Sequence, residues 1–213
     1  MSNTITCIIP AYNEEKTIGS ILDTLKKVEM VDNIIVVSDG SVDRTAEIGL
    51  SKGVKVIDLK ENKGKGGAMQ AGLDSTDADI ILFLDADLIG LTPTHVDSLL
   101  EPVVKGNALM TLGVFTSGRR TTDLAQKVAP YLSGQRAIKR QLLNQISDLE
   151  VSRFGVELAL TRFVEKKEVG VEVVQLPDMS HVMKEEKLGL VKGFVARLKM
   201  YWEIVNYFLK NPS

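Results

Sequence analysis

The chain has 213 residues, 44% hydrophobic and 25% charged, enough to bury one core in an ordinary globular domain. Lys and Arg number 26 against 28 Asp and Glu, a net charge of -2, which argues against a general nucleic-acid binder. The single cysteine excludes an intrachain disulfide and a Cys-rich zinc site and fits a reducing compartment. The opening Met1-Ser2-Asn3-Thr4-Ile5 lacks the basic-then-apolar pattern of a signal peptide, and no apolar run reaches the roughly 18 residues of a spanning helix. A cytoplasmic protein is the expectation.

Ile5 to Ile9 reads as a buried strand that Pro10 stops. From Thr17, the apolar residues Ile18, Ile21, Leu22, Leu25 and Val28 recur at helical spacing. Ile34 to Val37 is a second strand, and Asp43 caps a helix through Leu50 that Gly53 ends. Val54 to Ile57 is a third strand, followed by a Gly64-Lys65-Gly66-Gly67 turn and a short helix over Ala68 to Leu73. Ile80 to Leu84 is a fourth strand. The alternation predicts an α/β fold with a mostly parallel sheet, because near-continuously apolar strands are buried on both faces. Pro93 begins a helix through Val104, with His95 at its start and without a chemical role. Leu109 to Phe115 returns to the sheet, Val156 to Val164 is helical, Val171 to Leu176 is a strand, and a long helix runs from Leu188 to Leu209. Between Arg119 and Arg140 six basic residues stand against one acidic residue, Asp123; a solvated face is the plainer role, but arginine forks suit phosphate and favour a phosphorylated or anionic acceptor. The C-terminal helix carries Phe194, Tyr201, Trp202, Tyr207 and Phe208 but no strongly basic face. That favours packing on the core or in a homodimer, with peripheral membrane contact as the other option.

Ligands of open parallel sheets bind beyond the carboxyl ends of the strands. Each of the first four strand exits here carries polar residues: Pro10 to Glu15, Ser38 to Ser41, Asn62 to Gly67, and Asp85-Ala86-Asp87. The carboxylate pair Asp85 and Asp87 suits a hard divalent cation bridging to phosphates, although such a pair alone also caps helices. The Gly64 to Gly67 turn lets backbone approach a phosphate with Lys65 as a point charge, and alone it is also an ordinary flexible turn. Asp39 and Glu14 accept hydrogen bonds only, which suits the N–H of a base and the hydroxyls of a ribose; helix capping is the plainer role.

Pro10 to Glu15, Ser38-Asp39-Gly40-Ser41-Val42-Asp43 and Asp85-Ala86-Asp87 together resemble the GT-A fold (Rossmann-like) nucleotide-sugar glycosyltransferases, family 2 and its relatives. The resemblance implies a donor site of Pro10, Ala11, Tyr12, Glu14, Asp39, Lys65, Asp85 and Ala86. Within it, Glu14 and Asp39 contact the nucleoside, Lys65 lies near the diphosphate, and Asp87 holds the metal, Mg²⁺ or Mn²⁺. Gly118 to Leu124, Leu132 to Arg136 and Phe154 to Glu157 resemble glucosyl-3-phosphoglycerate synthases of glycosyltransferase family 81. This implies acceptor contacts from Arg120, Thr122 and Arg136, sugar recognition by Glu157, a Leu132 carbonyl facing the anomeric carbon, and His181 as a second metal ligand. Ser38 departs from the usual first Asp of the family-2 signature, and Phe154 stands where family 81 often has Tyr.

The expectation is one domain over 1-213, with a nucleotide-binding half (1-90), an acceptor-binding half (91-187) and a C-terminal helix (188-213). It would be a metal-dependent glycosyltransferase moving a hexose from an NDP-sugar, UDP-glucose first, to a phosphorylated or anionic acceptor such as 3-phosphoglycerate. The family-81 likeness implies retention of configuration. The family-2 likeness implies inversion, with Glu157 as the candidate base. The rival readings are a polyprenyl-phosphate hexosyltransferase and a non-catalytic nucleotide-sugar-binding protein.

Overall fold

The computed structural model describes residues 3–116, 133–145 and 170–182. Leu132, Arg120, Thr122, Glu157 and the helices expected over 156–164 and 188–209 lie outside the described residues. The chain divides into two units, Met1–Ser180 and His181–Ser213. The fold below is that of the first, whose last strand runs one residue past the boundary.

The first unit opens as β1 (Ile5–Ala11), α1 (Ile18–Leu25), β2 (Asn33–Asp39), α2 (Thr45–Ser51), β3 (Lys55–Leu59), α3 (Gly64–Leu73) and β4 (Ile80–Phe83). It continues with β5 (Leu88–Ile89), α4 (Pro93–Val104), β6 (Met110–Phe115), β7 (Arg136–Lys139), α5 (Arg140–Leu143), β8 (Val171–Leu176) and β9 (Ser180–His181). Seven strands form a sheet in the order β3-β2-β1-β4-β7-β6-β8, and β5 pairs with β9. Among the described strands of the seven-stranded sheet, β7 alone runs against its neighbours. Successive connections build outward from β1 to β3, and β4 then returns to the other side of β1. The β1/β4 seam is therefore the switch point, where an open α/β sheet leaves a crevice for ligand.

The apolar strands split by residue parity. Cys7, Ile9, Ile80 and Leu82 face one core with Ile18, Leu22, Leu25, Leu99 and Val103. Ile8, Ile81 and Phe83 face the other with Met69, Leu73, Ile138 and Leu142. Helices thus cover both faces, which is why these strands read as continuous apolar runs rather than as alternating ones. Burial also pushes the Cys7 thiol well above its ordinary range, which leaves it inert.

Two expectations needed correction, and one alternative reading falls away in part. The first strand does not stop at Pro10: it runs to Ala11, with Pro10 opposite Val37. Ile8, of the same parity as Pro10, bonds toward β4, and β4 pairs no further than Phe83. The donor that proline lacks therefore falls where no partner strand remains. The glycine turn is no turn, because α3 begins at Gly64 and takes all four residues into its first turn. The basic stretch is not a solvated face throughout. Arg136 to Lys139 form a strand in the sheet, and Arg140 donates to the carbonyls of Ala78 (2.6 Å) and Thr76 (2.7 Å).

Helix α4 starts as predicted. Thr92 caps it, accepting from His95 N–H, while Thr92 N–H donates back to His95 Nδ1 at 3.2 Å. The imidazole also bonds the Pro177 carbonyl, so the buried ring joins α4 to the turn before β9. Burial lowers its pKa below the ordinary 6.5, against the pull of Asp178 and Pro177. A depressed folded pKa contributes stability that is fully present above the unfolded value and is lost as pH falls through the folded one. Lowering the pH from about 7.5 to about 5.5 should therefore reduce the urea midpoint more in wild type than in His95→Asn, which keeps an acceptor and does not titrate. Parallel declines would contradict this.

Candidate functional site

The four strand exits are laced to one another at the carboxyl edge of the sheet. After β1 the chain turns at Asn13, held at φ 56°. Its N–H donates to Ser41 Oγ (3.1 Å), and its Oδ1 accepts from Val42 N–H (2.9 Å). Glu14 N–H donates to Thr45 Oγ1 (2.8 Å) and Glu15 N–H to Asp43 Oδ2 (3.1 Å). These bonds tie the β1 exit to the β2 exit. Burial raises the Asp43 carboxyl pKa, but the Thr45 hydroxyl and the N–H groups of Glu15 and Thr45 outweigh it, so the group stays below its ordinary range.

The β2 exit is tied to the β3 exit through Asp39. Its buried carboxylate accepts from Lys63 N–H at 2.7 Å, and its carbonyl accepts from Asn62 Nδ2 at 3.0 Å. Asp39 thus serves the start of α3 through one oxygen, the capping role that the sequence left open. The approach is close at Gly40. Its φ is +68°, and a Cβ there would lie 2.7 Å from Asn62 N.

The β3 exit is tied to the β4 exit by Lys65 Nζ, 2.5 Å from Asp85 Oδ1. Thr17 then closes the ring, donating its hydroxyl to the Ala86 carbonyl at 2.6 Å from the foot of α1. Gln135, at the entrance to β7, donates from Nε2 to Asp85 Oδ2 at 2.8 Å. The lacing brings together the exits that bear Glu14, Asp39, Lys65, Asp85 and Asp87, over the β1/β4 seam. Tyr12 stands half-exposed beside them, and Pro10 and Ala11 are the last residues of β1.

Asp85, Asp87 and His181 each offer one ligand atom, and these atoms lie within 4.8 Å of one another. Two carboxylates and an imidazole suit Mn²⁺ and tolerate Mg²⁺. Arg136, expected at the acceptor, is buried, and its guanidinium donates to the Ser133 carbonyl. Sequence reasoning assigned no site role to Thr17 or to the Gln135 side chain. Thr17 gave no signal, whereas Gln135 stood inside a quoted motif whose strand was not foreseen. A cavity of about 480 Å³ opens at the opposite edge of the sheet, among Asp32, Asn33, Lys55 and Thr76. It holds none of these groups, so chemistry rather than hollow volume locates the site.

Residues 6–163 match the family model described as glycosyl transferase family 2. The chain belongs to glycosyl transferase family 2. It is 29% identical over 194 residues to the glucosyl-3-phosphoglycerate synthase of Mycobacterium tuberculosis, covering 74% of this chain and 59% of that protein. It is 31% identical to the synthase of Mycolicibacterium smegmatis, with 74% and 62% covered. The chain thus spans about three fifths of the length of these relatives. The M. tuberculosis synthase in complex with Mn²⁺, UDP-glucose and phosphoglyceric acid superposes with a TM-score of 0.71 at 29% identity, over 84% of this chain and 72% of that one. The same enzyme with Mg²⁺ and UDP gives 0.71 at 28%, with the same coverage. These likenesses carry the GT-A fold and bear out the family expected from the sequence. Among the described residues, no helix is long and apolar enough to cross a membrane.

Asp87→Ala should remove Mn²⁺-dependent UDP binding from calorimetric detection while the melting temperature shows an intact fold. Unchanged binding would take Asp87 out of the metal site.

Proposed function

We propose that the protein transfers a glucosyl group from UDP-glucose to a small phosphorylated acceptor of the phosphoglycerate class. The observation that carries this reading is the grouping of Asp85, Asp87 and His181, with Lys65 on the first of them, over the switch point. Supporting it, the M. tuberculosis synthase, about 29% identical, forms a complex with Mn²⁺, UDP-glucose and phosphoglyceric acid.

Asp87 and His181 would hold the divalent cation, with Asp85 beside them. When bound, the ion supplies Lewis-acid neutralisation of the diphosphate. Glu14 and Asp39 orient the nucleoside, beside Pro10, Ala11, Tyr12 and Ala86. Lys65, in the first turn of α3, stands where a cation and a helix N-terminus both favour a diphosphate. Its charge then offsets the negative charge that grows on UDP as it leaves. By the likeness to that synthase, Arg120 and Thr122 would grip the acceptor phosphate, Glu157 would bind the sugar hydroxyls and the Leu132 carbonyl would serve the anomeric carbon, while Arg136 braces the Ser133 carbonyl.

In the reaction, the bond from the anomeric carbon to the β-phosphate oxygen breaks, and a bond to the acceptor hydroxyl oxygen forms. On the retaining course, the hydroxyl proton leaves with the departing phosphate, and position does most of the work. On the inverting course, Glu157 takes that proton.

Incubation of the protein with UDP-glucose, Mn²⁺ and 3-phosphoglycerate should yield UDP and a glucosylated acid in which proton NMR shows the α configuration kept. A β product would move the enzyme to the inverting course. The absence of both transfer and donor hydrolysis would overturn the proposal. Arg120→Ala should raise the acceptor KM about tenfold or more while leaving the donor KM near wild type, because a fork bond to phosphate is lost. An unaltered acceptor KM would remove Arg120 from that site.

A further inference from the structure

Asp85 is held from three sides, and two of them come from a segment without an assigned role. Lys65 Nζ reaches Oδ1 at 2.5 Å, and Gln135 Nε2 reaches Oδ2 at 2.8 Å. Gly134 fills the third side. A Cβ built on it would lie 2.2 Å from Oδ2 and 2.4 Å from Oδ1.

The orientation of the Gln135 amide follows from its partners. A carboxylate only accepts, so the NH₂ end must face Asp85 and the carbonyl end must face away. The carbonyl end meets Ser133 Oγ at 3.1 Å. Ser133 shares its one hydroxyl proton between that carbonyl and the Gly113 carbonyl of β6, and accepts from Gln135 N–H at 3.2 Å. The amide is buried. A buried donor aimed at a charged acceptor, with its own carbonyl turned to the shared Ser133 hydroxyl, holds that acceptor in one rotamer.

We propose that Ser133-Gly134-Gln135 is a clamp that positions Asp85 for the donor diphosphate and its cation, Gln135 by an oriented hydrogen bond and Gly134 by leaving room for the carboxylate. The clamp deepens the nucleotide-sugar reading and rests on it. It makes the entrance of the reversed strand β7 part of the donor site. Asp85 then arrives with its carboxylate set between Lys65 and Gln135. Lys65 can turn toward the incoming phosphates while Gln135 keeps Asp85 in place.

Two substitutions separate positioning from packing. Gly134→Ala adds one methyl group to a residue outside the left-handed region. The atoms it meets are the end of one side chain, so the fold should tolerate it and Asp85 should shift. Gln135→Met keeps length and burial but cannot donate. The readouts are Mn²⁺-dependent UDP affinity by calorimetry and the melting temperature of the unliganded protein. Each variant should weaken UDP binding about tenfold or more, the scale of one hydrogen bond to a charge, with the fold intact by melting. A lowered melting temperature with unchanged UDP affinity would reduce the segment to packing and overturn the proposal. Wild-type affinity in Gly134→Ala would do the same, since Asp85 would then need no cleared space. No UDP binding by the wild type would overturn the nucleotide-sugar reading, and this inference with it.

Discussion

The structure depends on a closed circuit of hydrogen bonds around the carboxyl edge of the sheet. Asn13, Glu14 and Glu15 hold the loop of Ser41, Asp43 and Thr45, Asp39 holds Lys63, Lys65 holds Asp85, and Thr17 holds Ala86. Loops leaving parallel strands have no neighbouring ladder to fix them and would otherwise move independently. Here each is restrained by the next. The circuit also spans the one seam where connections diverge, so the restrained groups surround a crevice rather than a covered edge.

Electrostatics explains why the circuit can serve a nucleotide. Glu14, Asp39, Asp85 and Asp87 gather on one side of the sheet, a concentration of carboxylates that a multivalent cation relieves. Lys65 offsets part of this charge through Asp85. Its place on the first turn of α3 puts a lysine, a helix N-terminus and a cation-binding group side by side. An anion with its counter-ion, such as a metal diphosphate, matches that alternation better than either ion alone. The short strand β7 adds the remaining constraint by bringing Gln135 up against Asp85 from the far side of β4.

Much of this was legible in the residues. The apolar runs at Ile5, Ile34 and Ile80 announced buried parallel strands because both faces of each contribute to a core. The polar clusters just beyond them announced the site because ligands of such sheets bind there. Pro93 and Val104 bounded α4 correctly because a first-turn proline is compatible with a helix. The illegible parts have physical reasons as well. Pro10 continues its strand only because β4 has ended beside it, a tertiary fact. Gly64 to Gly67 become helical because Asp39 anchors Lys63, overriding the poor propensity of three glycines. Strand β7 has two apolar residues between basic ones, too short a period to register. The hydrogen bonds of Thr17 and Gln135 join residues 69 and 50 positions apart, which no local pattern encodes.

The most direct test of the central claim is a crystal of the protein grown with Mn²⁺ and UDP, examined at the manganese absorption edge. The account predicts one anomalous peak at the carboxyl edge of the sheet, within coordination distance of Asp87 and His181, with the diphosphate between it and Lys65. A peak elsewhere, or UDP bound away from the β1/β4 seam, would contradict it.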